Sequence, residues 1–349
     1  MELLKDYIVV GFGIAGLSFC EQLERHQKTF VVFDDDSQQS SWVAGGMYNP
    51  VILKRFTLAW NAVSQLEYAL PFYKALENKL DESFVVPLQL YRKFASIEEQ
   101  NLWFEALDKP HLASFMSTQI KQNKNPSINA DYGLGQLNQL GRVQVAKLIT
   151  SYRRYLSANN SFVNQPFDFD LLEFNNGIVS YKNYKAKHIV FATGYGLKCN
   201  PLFNHLPLQG TKGELLIIEA PQLNLAAILK SSVFILPLGD DRYYVGATYN
   251  WKDKTNEPTP EAKAQLLSKL DQLIEVDYKV VDHITGIRPT VIDRRPLLGR
   301  HHNHSNAYVF NGMGTRGVLV APTLSKQLFD FIEYNHPLDE EVSIARFNA

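Results

Sequence analysis

Cysteine is scarce in this sequence, and neither sign of charge is in excess. Only Cys20 and Cys199 occur among 349 residues. They form no Cys-x-x-Cys pair, so we expect neither a disulfide framework nor a zinc site. Lys and Arg together number 35, Asp and Glu number 36, and the net charge is −1. This balance, with no long basic run, disfavours a nucleic-acid partner.

Long hydrophobic runs are also missing. The first residues, MELLKDYIVVGFG, have no basic segment, and their apolar run stops at a glycine turn, so we expect neither a signal peptide nor a membrane span. The cytoplasm is the expected location. One polar loop contains three histidines, His301, His302 and His304, without an accompanying carboxylate ligand. Histidines so close together in a loop rarely coordinate the same ion, so we expect no metal site.

What is present is an ordinary globular composition, with 45% hydrophobic and 12% aromatic residues. The length predicts about two domains. Near the N-terminus, DYIVV predicts a buried strand, GFGIAG a turn, residues 14–25 a helix, and KTFVVFDDD a second strand, which together make a β-α-β unit. Near the C-terminus, YVFNGMGTRGVLVAPTLSKQLFDFI has the same order of strand, glycine turn and helix.

The middle of the chain alternates between the two kinds of element. Helices are predicted over residues 57–80, 141–158 and 259–276, and a further helix follows the capping box of Ser96 and Glu99. Strands are predicted over residues 88–95, 187–196, 208–220, 232–238, 242–248 and 279–287. Parallel-type strands lie at both ends and partly in the middle, with antiparallel strands in the gaps between them. This order predicts an α/β fold, α+β overall, in which two domains are interleaved.

The first glycine turn has the spacing of a dinucleotide-binding loop. Gly11 permits the tight turn, Gly13 lets a pyrophosphate approach the backbone, and Gly16 lets helix and strand pack closely. Asp34 ends the second strand, where its carboxylate can accept the hydroxyl protons of an adenosine ribose. No arginine is adjacent to it in the sequence, which disfavours a 2′-phosphate and therefore NADP. This pattern alone leaves NAD and FAD open.

Two further stretches favour a flavin. SSWVAGGMYNP, residues 40–50, offers hydroxyls, small side chains and free backbone amides just after the acidic strand. The small residues Ala192, Thr193 and Gly194 end a buried strand, where the backbone can come close to a cofactor.

These motifs, taken in order with the tripeptide IRP at residues 287–289 and the closing GxGTRGxxxAP, resemble the superfamily of D-amino-acid oxidase and glycine oxidase. The resemblance implies noncovalently bound FAD and a Rossmann-like FAD-binding domain formed by residues 1–80, 141–205 and 285–349. An antiparallel-sheet substrate domain would comprise residues 81–140 and 206–284. The terminal strand and helix would return to the first sheet, with the GTRG turn against the flavin.

The resemblance also assigns site residues. Phe167 falls where these enzymes place a strand whose backbone recognises adenine. The expected cofactor-binding residues are Gly11, Gly13, Ile14, Ala15, Gly16, Asp34, Asp35, Ser40, Ser41, Ala44, Gly45, Gly46, Met47, Phe167, Ala192, Thr193, Gly194, Arg288, Gly314, Thr315, Arg316, Gly317 and Val318.

Four residues are expected to act on the substrate. The resemblance implies that Arg288 holds a substrate carboxylate as a bidentate pair. Phe234 stands where glycine-oxidase-like enzymes carry a tyrosine, which puts glycine as the substrate in doubt, and Tyr249 on a nearby strand could compensate. Arg55 could add positive charge near the flavin.

The expected reaction is oxidation of a small amine or amino acid of the D-amino acid, glycine or N-substituted glycine type. A hydride would pass to flavin N5, and the imine would be hydrolysed, with O2 or another electron acceptor closing the cycle. Three alternatives stay open: a dehydrogenase of the same fold, an amine oxidase that acts on a modified tRNA uridine, and a non-catalytic flavin-binding or nucleotide-binding protein. The second is suggested by GATYNWKD, residues 246–253, which resembles a segment in the oxidase half of a bifunctional tRNA-modifying enzyme. The oligomeric state is left open.

Overall fold

A computed structural model describes residues 4–347, which contain nineteen strands and six α-helices. The strands are β1 (Lys5–Val10), β2 (Phe30–Asp34), β3 (Met47–Tyr48), β4 (Val51–Ile52), β5 (Thr57–Leu58), β6 (Val85–Lys93), β7 (Met116–Lys121), β8 (Leu134–Val143), β9 (Phe162–Asn164), β10 (Leu172–Asn175), β11 (Ile178–Tyr181), β12 (Tyr184–Phe191), β13 (Thr211–Glu219), β14 (Ile228–Lys230), β15 (Phe234–Gly239), β16 (Arg242–Gly246), β17 (Lys279–Arg288), β18 (Leu297–Arg300) and β19 (Ala307–Asn311). The helices are α1 (Ile14–Arg25), α2 (Ala62–Leu80), α3 (Ile97–Leu107), α4 (Val145–Ala158), α5 (Pro260–Asp271) and α6 (Gly317–Tyr334).

The first sheet brings the two ends of the chain together. Its centre is parallel, in the order β9, β2, β1, β12 and β19, with β18 antiparallel at one edge and the hairpin β10–β11 beside the first half of β12. Residues 7–10 of β1 are apolar and buried without interruption, as expected where both faces of a parallel sheet are covered. Val9 packs in the cluster with α1 and α6, whereas Ile8 packs on the opposite side, and both side chains are fully buried.

The second sheet is mainly antiparallel. Its order is β17, β13, β16, β15, β14, β6, β8 and β3, with β7 also paired to β8, and only the β14–β6 pair is parallel. One face of β13 and β16 packs on α5 through Leu216, Ile218 and Leu266. The residues that alternate with these along the strands therefore face the other way, toward the first sheet.

The two sheets interleave along the chain, as the sequence predicts. Strands of the first sheet come from residues 5–34, 162–191 and 297–311, and those of the second from residues 47–48, 85–143 and 211–288. The domain boundaries stay a prediction. Strands of the second sheet nevertheless include Met47–Tyr48, residues 141–143 and residues 285–288, which lie within the segments predicted for the FAD-binding domain.

Local signals explain where the helices begin. Ser96 accepts a hydrogen bond from the Glu99 N–H, and Thr259 accepts one from the Ala262 N–H, so both predicted caps are confirmed. The helix predicted from residue 57 begins only at Ala62, because the preceding Asn61 has a left-handed φ of 47°. The helix predicted from residue 141 begins at Val145, because residues 141–143 pair in β8.

Over residues 4–347, every helix is too short or too polar to cross a membrane.

Candidate active site

A cavity of about 410 Å³ lies between the two sheets. Its walls come from the loop after β1, the ends of β2 and β12, the loop that follows β2, the turn before α6, and the facing side of β13, β15 and β17. The volume is within the range of small-molecule and cofactor sites. The cavity therefore collects segments that are far apart in the sequence.

The loop from β1 to α1 forms one end of the cavity. Gly11 has a φ of 96°, and a Cβ atom there would lie 2.6 Å from the Ala192 carbonyl oxygen. Gly13 is the N-cap of α1 and has no side chain to cap the helix, and the Ile14 N–H donates to the Ser41 hydroxyl at 3.1 Å. Gly11, Gly13, Ile14 and Ala15 line the cavity. The helix N-terminus thus presents backbone N–H groups and its positive dipole end to the cavity, which suits a pyrophosphate.

Gly16 does not line the cavity. A Cβ atom on Gly16 would lie 2.0 Å from the carbonyl oxygen of Gly11, so the residue allows α1 to pack on the strand that precedes it. This is the packing expected of the third glycine in the motif.

Asp34 and Asp35 also line the cavity. Burial raises the pKa of Asp34 to about 6, and the nearby Arg153 guanidinium opposes that shift. Arg153 Nη2 lies 3.0 Å from Asp34 Oδ2, and the same guanidinium pairs with Asp36. No arginine is adjacent to Asp34 in the sequence, but Arg153 of α4 lies beside it in space. The arginine is already paired with two carboxylates, so it gives no free cation for a 2′-phosphate.

The glycine-rich loop after β2 follows the cavity wall. A Cβ atom on Gly46 would lie 1.9 Å from the Val143 carbonyl oxygen, and Gly46 has a φ of 68°. On the opposite wall, a Cβ atom on Gly286 would lie 2.8 Å from Val43 Cγ2. The predicted loop residues that line the cavity are Ser40, Ser41, Ala44, Gly45, Gly46 and Met47.

Ala192, Thr193, Gly194 and Phe167 line the cavity beside the end of β12. The Thr193 hydroxyl is buried and has no hydrogen-bond partner among the described residues. A bound group is the natural partner for such an orphaned hydroxyl. Phe167 lies in the loop after β9, not in a strand, so the strand expected at this position is wrong. Its ring stacks on Tyr181 with the centroids 4.1 Å apart.

A second helix N-terminus meets the cavity from the C-terminal turn. Gly314, Thr315, Gly317 and Val318 line the cavity, whereas Arg316 does not. Arg316 Nη1 donates to the Asn49 carbonyl oxygen at 2.8 Å, and burial lowers the pKa of its guanidinium. Arg316 therefore holds the turn against the loop after β2. The start of α6 favours negative charge in the cavity.

Arg288 ends β17 beside this turn, because the Gly314 N–H donates to the carbonyl oxygen of Pro289 at 3.1 Å. Its guanidinium carbon is 4.7 Å from the centroid of the Tyr249 ring, and Nη1 lies 3.4 Å from the Thr248 carbonyl oxygen. A Cβ atom on Gly213 would lie 2.1 Å from both Nη atoms, so the missing side chain makes the space that the guanidinium occupies. Burial lowers the pKa of Arg288, and no carboxylate within residues 4–347 forms an ion pair with it.

The other three residues expected to act on substrate fall in different places. Phe234 lines the cavity and provides no hydroxyl. Tyr249 lines it as well, with 63% of its surface exposed, but it lies in the loop after β16 and not on a strand as expected. Arg55 is exposed and does not line the cavity, because it lies in the turn between β4 and β5, and we leave it out of the site.

Sequence reasoning missed several residues that shape the cavity. Gly213 and Gly286 could have been noticed, since a glycine inside a strand often marks a close approach. Arg153 gave no signal, because it is one of several basic residues on a helix. Within the described chain, no group of three His, Cys, Asp or Glu side chains is placed to hold a metal ion.

Comparison with known proteins agrees with this geometry. Glycine oxidase from Pseudomonas putida is 22% identical over an alignment of 363 positions that covers 96% of this chain and 96% of that protein. A tRNA 5-methylaminomethyl-2-thiouridine biosynthesis bifunctional protein from Marinobacter nauticus is 22% identical over 93% of this chain, which spans only 55% of its length. The crystal structure of glycine oxidase from Geobacillus kaustophilus superposes with a TM-score of 0.79 at 18% identity, covering 97% of each chain.

A family profile also matches most of the chain. The profile of the family described as DAO, FAD dependent oxidoreductase, matches residues 6–330. The chain therefore belongs to the DAO family of FAD-dependent oxidoreductases.

Proposed function

We propose that this FAD-dependent enzyme oxidises a small amine that carries a carboxylate, either an amino acid or an N-substituted glycine. The observation that carries the proposal is Arg288. It is a half-buried cation on the cavity wall whose pKa is lowered by desolvation, it lacks an acidic partner among the described residues, and Gly213 leaves room for its guanidinium. An unpaired charge that is partly removed from water is costly, so such an arginine fits a site that an anionic ligand completes.

Arginine suits a carboxylate better than lysine does. Its planar guanidinium can donate two parallel hydrogen bonds to the two oxygens, which fixes orientation as well as position. In this structure Nη1 has only a long contact with the Thr248 carbonyl oxygen, so most of its donors are free for a ligand. The Tyr249 ring covers one side of the guanidinium and limits how it can tilt.

The cavity residues fit FAD held without a covalent bond. The N-terminus of α1 would receive the pyrophosphate, Asp34 the ribose hydroxyls, and the turn from Gly314 to Val318 the flavin ring. When bound, FAD would supply an acceptor for the hydride that leaves the carbon next to the substrate nitrogen. The resulting imine would be hydrolysed by water.

Strong bases are missing from the cavity wall. Its described lining includes two carboxylates, Asp34 and Asp35, but no His, Lys or Glu side chain. These two acids lie at the end of β2, in the part assigned to the ribose. We therefore propose that the amine binds with a neutral nitrogen, so that the protein contributes positioning more than proton transfer.

A second candidate is oxidation of an aminomethyl group on a modified nucleoside. It is favoured by the similarity to the tRNA-modifying bifunctional protein and by the exposed aromatic rings of Tyr249 and Trp251, which are 63% and 52% exposed. Exposed rings of this kind can stack on a base. The net charge of −1 gives no general attraction for RNA, so we rank it second.

An anaerobic screen tests the proposal. FAD-loaded protein is mixed without oxygen with glycine, sarcosine, D-amino acids, proline and other N-substituted glycines, and visible flavin absorbance is followed. We expect at least one carboxylated amine to bleach the flavin. If none does while a modified nucleoside does, the second candidate replaces the first. Peroxide formed on admitting air identifies an oxidase, and its absence after bleaching identifies a dehydrogenase.

A further inference from the structure

The loop between β16 and α5, residues 247–259, completes the surroundings of Arg288. The Thr248 carbonyl oxygen contacts its guanidinium, and the Tyr249 ring covers it. Gly213, on the neighbouring strand, leaves the space that the guanidinium occupies. The position of the guanidinium therefore depends on where this loop lies.

A buried lysine holds the loop in place. Lys212 has no exposed surface, and its Nζ donates to the Asp253 carboxylate, to Thr255 Oγ1 at 3.2 Å and to the Glu257 carbonyl oxygen. Its backbone also exchanges two hydrogen bonds of 2.9 Å with Asn250. One residue thus fixes four positions of the loop.

Glu214, two residues further along β13, fixes both ends of the same loop. Its carboxylate accepts hydrogen bonds from the Thr259 N–H at 2.7 Å and from the Thr259 hydroxyl at 2.9 Å, and it lies 2.9 Å from His283 Nε2. Its carbonyl oxygen accepts from the Thr248 N–H at 3.1 Å. Lys212 Nζ lies 3.7 Å from Glu214 Oε1, so the two charges belong to one cluster.

The cluster and Arg288 lie on opposite faces of the same strand. Side chains alternate along β13, so Lys212 and Glu214 point toward α5 while Gly213 faces the cavity. Thr211 is the cross-strand partner of Arg288. The buried ion cluster therefore lies on the face of β13 opposite the guanidinium. The loop runs alongside β13 where β16 has ended, with Thr248 and Asn250 hydrogen-bonded to the backbone of Glu214 and Lys212.

Stability alone does not explain a fully buried lysine at this position. Well-packed apolar residues often replace a buried ion pair without loss of stability, whereas an ion pair fixes one arrangement of its partners. We propose that Lys212, through Asp253 and the loop that follows β16, is a positioning residue that sets the substrate-carboxylate site at Arg288. The inference rests on the proposed function of Arg288.

The test compares a graded series of variants in FAD-loaded protein. Asp253→Asn keeps an acceptor but removes the charge, Asp253→Ala removes both, and Lys212→Met removes the cation. Asp240→Asn, in the exposed turn between β15 and β16, is the matched control. The probe is glycolate, which keeps the carboxylate of glycine and replaces its amine, and its Kd is read from the perturbation of the flavin spectrum.

We expect the glycolate Kd and the KM of the best carboxylated amine to rise in the order wild type, Asp253→Asn, Asp253→Ala, and to reach about 10- to 100-fold. FAD content and the limiting rate of flavin reduction should change less than about twofold, because the loop sets binding and not the hydride transfer. The Asn250 amide should exchange its hydrogen faster, since it donates to the Lys212 carbonyl oxygen. Asp240→Asn should match the wild type.

Two results would contradict the account in different ways. Wild-type flavin that glycolate does not perturb and no carboxylated amine reduces overturns the proposed function, and this inference with it. Wild-type protein that binds glycolate, with Asp253→Ala binding it equally well, overturns the inference alone. If Lys212→Met does not fold, the two Asp253 variants still test the inference. They should fold, because Asp253 lies in a loop and its side chain is 25% exposed.

Discussion

The substitution Gly213→Ala tests whether the position of the Arg288 guanidinium matters, without removing any group that could bind substrate. A Cβ atom at this position would lie 2.1 Å from both Nη atoms, whereas ordinary contact begins at 3.4 Å. The guanidinium must therefore move by about 1.3 Å, the difference between these distances. The backbone should tolerate alanine, because Gly213 has no left-handed φ.

A displacement of about 1 Å at a positioning group can lower the rate by about 100-fold. We expect Gly213→Ala to lower kcat/KM for a carboxylated amine by about that factor, chiefly through KM. FAD content should stay at the wild-type value, because Gly213 is on the wall opposite the α1 N-terminus. Stopped-flow flavin reduction gives the kinetic constants, and the visible spectrum of the purified protein gives the flavin content.

A double-mutant cycle shows whether the effect passes through the arginine. If Gly213→Ala acts only by displacing Arg288, it should add nothing in the Arg288→Ala background. Full additivity of the two effects would refute the reasoning, as would a Gly213→Ala enzyme with unchanged kcat/KM. The first result would place the glycine in a separate role, and the second would mean that the guanidinium does not need the space.

Three further predictions concern the cofactor site and stability. Gly16→Ala should lower the free energy of unfolding by about 1–3 kcal/mol and should also lower the FAD content, because its Cβ atom would lie 2.0 Å from the Gly11 carbonyl oxygen. Normal FAD content and stability would contradict this prediction. Burial raises the pKa of Asp34 to about 6, and its ionised form is the one that accepts ribose hydroxyls, so FAD affinity should fall as the pH drops below about 6. Asp34→Asn should weaken the pH dependence of FAD affinity, measured by titrating the apoprotein with FAD. If the variant and the wild type have the same pH profile, Asp34 is not the group whose ionisation controls FAD binding. Ser96→Ala should cost about 1 kcal/mol in chemical denaturation with FAD content unchanged, since it removes only the α3 cap, and a loss of FAD would contradict this.

Local patterns predicted the parts of the fold whose chemistry is local. The spacing of Gly11, Gly13 and Gly16 identified the β1–α1–β2 unit because tight turns and close packing require glycine at fixed intervals. The resemblance of the closing GTRG turn identified the return of α6 to the first sheet. Thr259 marked the start of α5, because a capping oxygen has to stand just before the first turn.

Contacts between distant segments could not be read in this way. Arg153 meets Asp34 across 119 residues, and nothing on its own helix marks it. The loop after β2 contains the short strands β3, β4 and β5, whose partners decide their conformation more than their own residues do. Nothing in the sequence around Lys212 distinguishes it from an ordinary strand residue. Its burial is explained by the hydrogen bonds that its ammonium group donates to residues of the loop that follows β16.

The most direct measurement compares carboxylated amines with their decarboxylated counterparts, in the wild type and in Arg288→Met. Anaerobic flavin reduction is followed with each carboxylated amine that bleaches the flavin in the screen, paired with the same amine without its carboxyl group, as in glycine against methylamine or sarcosine against dimethylamine. We predict that the wild type reacts far faster with at least one carboxylated member, and that Arg288→Met loses about 100-fold in kcat/KM for that member while retaining its FAD. Equal rates for the two members of each pair, or an Arg288→Met enzyme as fast as the wild type, would contradict the assignment of Arg288 as the group that binds the substrate carboxylate.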